Sequence, residues 1–262
     1  MSIFGLFGPP NVHKLEAKRE VAGLINALAW EKDPRVRLQA AMALGRVRDD
    51  RAVAPLINAL SDRGFNTLKS SDDYLLSGDD YIKRKDRHNV VCWAAFEALH
   101  NIDPDWSKSE AARAAVPLFI DVLKNRVLTS TKDRDYGVRR VAVEALGKIG
   151  DARAVETLIA TLKDLEEDIR YCAVESLGRI RDARAVEPLI GTLLHGDYVV
   201  CKAAFRVLDD IDRNWCKSKA AIAAEPKFIA ALKDSDNCVR WAAAETLDRI
   251  GVALPTETSL NQ

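Results

Sequence analysis

Residues 138 to 155 read Val-Arg-Arg-Val-Ala-Val-Glu-Ala-Leu-Gly-Lys-Ile-Gly-Asp-Ala-Arg-Ala-Val, and residues 169 to 186 read Ile-Arg-Tyr-Cys-Ala-Val-Glu-Ser-Leu-Gly-Arg-Ile-Arg-Asp-Ala-Arg-Ala-Val. The second segment matches the first almost position by position, and Leu177 follows Leu146 by 31 residues. A fixed spacing of roughly 20 to 50 residues is typical of solenoids and other repeat proteins. We therefore expect a repeat array whose units can be compared in a common register.

Each unit of this array predicts a pair of helices. Val138 and Leu146 belong to an apolar face at helical spacing, which indicates a first helix. Gly147 and Gly150 lower helix propensity near its end, and Asp151 is placed to cap a second helix. The apolar face of that second helix consists of Val155, Leu158, Ile159 and Leu162. One pair has too little apolar area to fold alone, so neighbouring pairs must stack. The predicted fold is all-α, an α-solenoid of stacked antiparallel helix pairs with two insertions.

The register predicts one solenoid over residues 1–262. The first half unit is a single helix at 14–30, and unit one pairs helices at 34–47 and 51–60. An excursion at 125–134 forms the second insertion. The full division is a leader at 1–12, a half unit and unit one at 13–60, an insertion at 61–88, units two to six at 89–251 and a tail at 252–262.

Two units are longer than the others. Unit two, from 89 to 125, and unit five, from 198 to 233, share a Trp-x-Lys-Ser segment that begins at Trp106 and Trp215. All their matching residues are 109 positions apart. The array therefore repeats on a second, larger scale.

The composition excludes several classes of function. Lys plus Arg and Asp plus Glu both total 39, so the chain has no net charge, and we expect no nucleic-acid partner. The five cysteines form no Cys-x-x-Cys motif and mostly occupy apolar helical positions, as reduced thiols of a cytoplasmic protein would. The apolar leader has no positively charged start, so we expect neither a signal peptide nor a membrane segment.

Arginine and aspartate recur together in the short units. Every unit has a leucine equivalent to Leu146, which we call the Leu146-type position. In the short units arginine stands seven residues before it and aspartate five residues after it, whereas the long units lack both. The set consists of Arg37, Arg139, Arg170 and Arg240 with Asp49, Asp151 and Asp182. We expect each guanidinium to bond a turn carboxylate of its own or a neighbouring unit, because either group alone near a core is costly. This ladder is a structural prediction and not a catalytic one.

The candidate binding surface is a row of small and polar residues on the second helices. These helices usually line the concave side of a curved array, and the row could admit a partner's helix or extended segment. The predicted partner-binding residues are Asn26, Asn58, Asp121, Thr161 and Thr192. Small residues also allow tight packing between adjacent helices, so both interpretations stay open.

Aromatic residues recur at a second candidate position. Six residues before the Leu146-type position stand Trp93, Tyr171 and Trp241. They are either contact residues for a partner or packing residues over the adjacent unit.

The repeated pattern resembles the HEAT-like repeat of phycobilisome lyase subunits over roughly residues 14–251. That family includes adaptors, chromophore lyase subunits, an iron-dependent hydroxylase and DNA glycosylases. The hydroxylase would need His-Glu pairs, but Lys, Asn, Asn and Gly follow the four histidines, His13, His88, His100 and His195. The sequence therefore predicts no catalytic residue, no metal ligand and no cofactor.

Two functions follow from this resemblance. The first is a non-catalytic scaffold or adaptor that binds another protein through its concave face. The alternative is a subunit similar to phycobilin lyases, which would hold a bilin and its acceptor protein. That alternative requires Arg or Lys side chains that converge in a groove, where they would meet the propionate groups of the bilin.

Overall fold

The computed structural model describes residues 8–61, 90–124, 136–194 and 197–252. Thirteen α-helices and no strand occur in these residues, so the all-α prediction is confirmed there. The helices are α1 Val12–Ala17, α2 Val21–Leu28, α3 Pro34–Val47, α4 Val53–Ala59, α5 Val90–Ile102, α6 Glu110–Lys124, α7 Tyr136–Ile149, α8 Val155–Thr161, α9 Glu167–Ile180, α10 Val186–Thr192, α11 Tyr198–Ile211, α12 Lys219–Ala231 and α13 Asn237–Ile250. The predicted leader up to residue 7, the insertion from residue 62, the excursion at 125–134 and the tail from residue 253 lie outside the described residues.

The chain forms two compact units, residues 1–145 and residues 146–262, and the boundary falls inside α7. In the first unit α2 packs on α3, α3 on α5, and α4 on both α5 and α6. Leu24, Leu44, Leu56 and Leu99 are fully buried between these helices. In the second unit α8 packs on α9, α9 on α11, α10 on both α11 and α12, and α12 on α13. Both units are therefore stacks of helix pairs.

The single helix predicted at 14–30 is wrong. The chain forms two helices there, α1 and α2, and Arg19 between them has a left-handed backbone with φ of 52°. The Arg19 guanidinium donates to the carbonyl of Val47 at 2.9 Å, a contact distant in sequence. Leu15 on α1 also lies against Gly23 on α2, where a side chain would collide with it. Tertiary packing therefore overrides the continuous helical pattern.

The turn aspartates begin the second helices, as the sequence predicts. Asp151 accepts a hydrogen bond from the backbone N–H of Arg153 at 2.9 Å, and a short 3₁₀ turn leads from there into α8. Asp182 accepts in the same way from Arg184 at 3.0 Å. Each of these carboxylates also pairs with the guanidinium of the same arginine, two residues further on.

The arginine ladder has different partners from those predicted. Arg170 donates to the carbonyl of Asp164 at 2.6 Å and to the carboxylate of Asp197 at 2.8 Å. Arg37 donates to the carbonyl of Leu28 at 3.0 Å. Arg37 thus bonds the last carbonyl of α2, which has no partner within that helix, whereas the carbonyl of Asp164 lies in the turn that follows α8. Arg170 therefore pairs with a carboxylate of the neighbouring unit, but this carboxylate is Asp197 at the start of α11 and not a turn aspartate of the predicted set. The turn aspartates Asp151 and Asp182 hold Arg153 and Arg184.

The long unit at α11 has a weaker version of the same contact. Cys201 occupies the arginine position, and its thiol donates to the carbonyls of Thr192 and Leu193 at 3.7 and 3.9 Å. Burial raises the pKa of this thiol to about 12, so it stays protonated as a donor. Cysteine therefore replaces arginine at the helix end without placing a charge there.

The glycine that follows the Leu146-type leucine sets the distance between first helices. A Cβ atom at Gly178 in α9 would lie 2.7 Å from Val207 in α11. A Cβ atom at Gly147 would lie 2.8 Å from the Cα atom of Ser176. Both distances are too short for a side chain, so these glycines are packing residues as well as weak helix formers. Gly150, with φ of 72°, is the residue that follows the end of α7.

Candidate protein-binding groove

Three of the five predicted partner-binding residues are exposed. Asn26 lies on α2, Asn58 on α4 and Asp121 on α6, all in the first unit. Their neighbours Ala27 and Ala59 are buried. Asn26, Asn58 and Asp121 therefore stay available as a contact surface, and their role in binding stays a prediction.

The other two predicted residues are buried. Thr161 is 8% exposed, and its hydroxyl donates to the carbonyl of Thr157 at 2.8 Å. Thr192 is 4% exposed, and its hydroxyl donates to the carbonyl of Pro188 at 3.1 Å. The placement of these threonines on an outward row is wrong. Thr161 and Thr192 are the equivalents of Ala27 and Ala59, which are also buried. The exposed position in these two helices is that of Ala160 and Gly191, the equivalents of Asn26 and Asn58.

A groove on the first helices of the second unit is a feature that the repeat pattern did not indicate. It has a volume of about 480 Å³ and is formed by side chains of α9, α11 and α13. The lining consists of Tyr171, Glu175, Tyr198, Val199, Lys202, Ala203, Phe205, Arg206, Trp241, Glu245 and Arg249. We call this surface the aromatic groove.

Three rings of the aromatic groove form one connected cluster. The centroid of Trp241 lies 5.6 Å from that of Tyr198 and 5.5 Å from that of Phe205, and both contacts are edge-to-face. Phe205 is only 5% exposed, whereas Tyr198 is 45% exposed. Tyr171 is 37% exposed at the α9 side. The groove thus has a buried aromatic base and an accessible aromatic rim.

Ion pairs connect the three helices around these rings. Arg206 on α11 pairs with Glu175 on α9, and this hydrogen bond raises the pKa of Arg206. Arg249 on α13 pairs with Asp209 on α11 at 2.9 Å and with Glu245 on its own helix at 3.0 Å. Glu175 therefore connects α9 to the adjacent helix α11.

A tryptophan of the long unit supports this arrangement from beneath. Trp215 is 1% exposed, and its indole Nε1 donates to Asp209 at 2.8 Å. Its ring centroid also lies 6.0 Å from that of Phe205. Trp215 therefore orients Asp209, and Asp209 in turn holds Arg249 beside the groove.

Two cations lie over the rings. The ammonium of Lys202 is 4.9 Å from the Tyr198 centroid, and the guanidinium of Arg249 is 5.2 Å from the Phe205 centroid. Such contacts stabilise an exposed site by roughly 0.5–1 kcal/mol. The negative charge of Glu175, followed by partial burial, raises the pKa of Tyr171, so this phenol remains neutral at physiological pH.

The lining is suited to binding. Among the described residues that line it there is no histidine, serine or cysteine. Aromatic and arginine side chains are the types that contribute most at protein interfaces. The signal in the sequence was the recurrent position of Tyr171, Lys202 and Trp241, six residues before the Leu146-type leucine. The interpretation of this position as packing alone is incomplete, because Trp241 packs on α11 and also lines the groove.

Two other kinds of site do not occur in the described part of the chain. No group of histidine, cysteine, aspartate and glutamate residues within it could hold a metal ion. None of its helices is both long and apolar enough to cross a membrane.

Family comparisons identify the repeat. A model of HEAT repeats matches residues 120–209, and a model of the PBS lyase HEAT-like repeat matches residues 36–62. HEAT repeats are therefore found at these residues, and the resemblance drawn from the sequence is confirmed there. No curated protein matches the sequence.

Solved structures with some similarity are engineered proteins of the Northeast Structural Genomics Consortium. One has 24% identity and a TM-score of 0.48, with 88% of this chain and 96% of that chain covered. Another has 23% identity and a TM-score of 0.44, and 93% of this chain covers 61% of its length.

Proposed function

We propose that this protein is a non-catalytic scaffold that binds another protein. The aromatic groove carries the proposal, because it combines an accessible aromatic rim with side chains already held in place by ion pairs. Such a surface loses little side-chain entropy when a partner binds. HEAT repeats generally mediate protein interactions, which supports the same conclusion.

The exposed part of the predicted row supplies a second contact surface under this proposal. Asn26, Asn58 and Asp121 present amide and carboxylate groups from successive second helices of the first unit. The concave-face hypothesis now depends on these three residues alone. A partner that uses them would form fixed hydrogen bonds beside small residues.

Co-purification from the source cells tests the proposal. The wild-type chain is compared with Trp241→Ala, which removes the ring at the centre of the groove, and with the double variant Asn26→Arg, Asn58→Arg. We expect Trp241→Ala to lose a specific partner while it remains folded and keeps its helical content. If both folded variants retain every partner of the wild type, neither surface is the binding site.

The bilin-holding function is the second candidate, and one observation favours it. Lys202, Arg206 and Arg249 converge on the aromatic groove, as binding of propionate groups requires. Arg206 and Arg249 are already paired with carboxylates, which weakens this candidate relative to the scaffold. Incubation with a bilin tests it by visible absorption. A spectral shift that Lys202→Gln abolishes would support it, and an unchanged spectrum would exclude it.

A further inference from the structure

We propose that the aromatic groove binds a segment of another protein that carries a carboxylate beside large apolar side chains, with Lys202 as the contact for the carboxylate. This inference rests on the proposed scaffold function and adds the chemistry of the partner.

The apolar requirement comes from the accessible surface of the groove. Val199 is 53% exposed and Tyr198 is 45% exposed, and both lie at the start of α11. Trp241 continues this surface onto α13 through its contact with Tyr198. Apolar area gains free energy at roughly 25 cal/mol per Å² when it is removed from water. A partner must therefore bring large apolar side chains to this part of the groove.

A cationic partner is disfavoured by the charges already present. The ring faces of Tyr198 and Phe205 are covered by the cations of Lys202 and Arg249. A ligand ammonium would have to displace these side chains to reach the same faces. The two lining carboxylates, Glu175 and Glu245, are each bound to an arginine. An incoming cation would therefore meet repulsion first and would have to compete for both carboxylates.

Lys202 is the lining cation with a different environment. Arg206 and Arg249 contact carboxylates, whereas the contact that the structure shows for the Lys202 ammonium is the Tyr198 ring. The ammonium is exposed and lies next to the apolar rim. A partner carboxylate placed there would form a charge-assisted hydrogen bond while the adjacent apolar side chains enter the groove.

The first long unit shows a contrasting arrangement. Trp93 occupies the register position of Lys202, and Arg140 occupies that of Trp241. The guanidinium of Arg140 lies 5.0 Å from the Trp93 centroid and also pairs with Glu144 at 3.2 Å. In the first long unit, the cation that covers a ring is therefore paired with a carboxylate of the same chain. At Lys202 this carboxylate must come from a partner.

The test uses the full chain and two labelled peptide helices in fluorescence anisotropy titrations. One peptide carries Leu and Phe on one face with Glu residues beside them, and its twin has Lys in place of each Glu. We expect the acidic peptide to bind several-fold more tightly than its twin, and this preference to decrease as salt screens the contact. Trp241→Ala should weaken binding of the acidic peptide at least about tenfold.

Charge reversal provides the decisive variant. Lys202→Glu should reverse the preference, so that the lysine peptide binds more tightly than the acidic one. Lys227→Glu is the matched control, because it makes the same charge change at an exposed position of α12 outside the groove. Melting curves establish that both variants remain folded.

The inference is overturned if the lysine peptide binds wild type as tightly as the acidic peptide does, if Lys202→Glu and Lys227→Glu behave alike, or if neither peptide binds. When peptide binding fails but co-purification of a partner still depends on Trp241, the partner chemistry is wrong and the scaffold function stands. When Trp241→Ala also leaves co-purification unchanged, the groove itself is not the binding surface.

Discussion

Helix α9 belongs to a short repeat and helix α11 to a long one, and three equivalent positions carry different residues in the two repeats. The short repeat has Arg170, Gly178 and Asp182, and the long repeat has Cys201, Asp209 and Arg213. Arg170 holds the turn after α8 by charge-assisted hydrogen bonds, whereas Cys201 makes weak thiol contacts with the end of α10. Gly178 allows α11 to approach closely. Asp209, at the equivalent position, instead bonds Trp215 and Arg249.

This comparison explains where the aromatic groove comes from. A carboxylate in place of glycine requires donors, and Trp215 and Arg249 supply them. Arg249 is thereby held beside Phe205, and Trp215 packs beneath the same ring. Replacement of one packing position in the repeat has therefore produced a supported aromatic surface. At this position the glycine of the short repeat allows close helix packing, whereas the aspartate of the long repeat supports a candidate binding site.

The largest expected effect is that of Trp215→Ala. This change removes a fully buried indole and the donor that orients Asp209, so we expect a loss of about 3–5 kcal/mol in the free energy of unfolding. Urea denaturation followed by circular dichroism measures it. Trp241→Ala, at a half-buried position, serves as the control and should cost clearly less. Equal losses would mean that Trp215 does not support the long repeat.

The second effect compares the guanidinium contacts of Arg170 with the thiol contacts of Cys201. Arg170→Ala leaves the Asp164 carbonyl and the Asp197 carboxylate without their donor, and we expect a loss of about 2–3 kcal/mol. Cys201→Ala removes only weak hydrogen bonds and one buried atom, so its cost should be about 1 kcal/mol. Arg179→Ala, at an exposed position of α9, is a control with little expected effect. The comparison breaks down if the Cys201 variant is the least stable of the three.

A third effect concerns the glycine of the short repeat. Gly178→Ala places a methyl group against Val207, and the crowding should cost about 1–3 kcal/mol relative to a glycine with free space. Gly191→Ala in α10 is that reference, since among the residues that the structure describes no other side chain or helix lies within 4 Å of the position that its methyl group would take. Helix propensity favours alanine at both sites, so the difference between the two melting shifts isolates the crowding. Equal shifts would show that α11 can move away from α9 at no cost.

The smallest effect is a pH dependence at the turn of the short repeat. Hydrogen bonds from Arg184 lower the pKa of Asp182 to about 2, below its ordinary value of 3.8. The stabilisation is therefore fully present above the unfolded-state pKa and is lost as the pH falls from about 4 to about 2. Wild type should lose slightly more stability than Asp182→Asn across this interval. Thermal melts at several acidic pH values measure the difference, and parallel curves would contradict the prediction.

Much of the fold could be predicted because the repeat supplies several independent readings of each position. The helix at Pro34–Val47 has the predicted bounds, and the turn aspartates occupy the predicted capping positions. Prediction failed where a contact distant in sequence decides the outcome. The break between α1 and α2 at Arg19 depends on the carbonyl of Val47, and one partner of Arg170 is the carboxylate of Asp197. Neither contact follows from a helical period.

The candidate site was predicted less well than the fold. Each second helix has two adjacent positions between its apolar residues, and periodicity alone does not tell which of the two is exposed. Thr161 and Thr192 occupy the second of these positions, which is buried. The recurrent aromatic position was visible in the sequence. Its accessibility was not, because that depends on which side chains of the adjacent helices cover each ring.

By itself the sequence determined that this protein is a stack of helix pairs, since apolar spacing and the recurring Leu-Gly and Asp-x-Arg positions are local properties of each repeat. Only the tertiary structure decided the aromatic groove. Side chains of the neighbouring first helices α9, α11 and α13 lie together in this groove. Glu175 and Asp209 each pair with an arginine on an adjacent first helix. Such pairings depend on distances between helices, which the one-dimensional pattern does not contain.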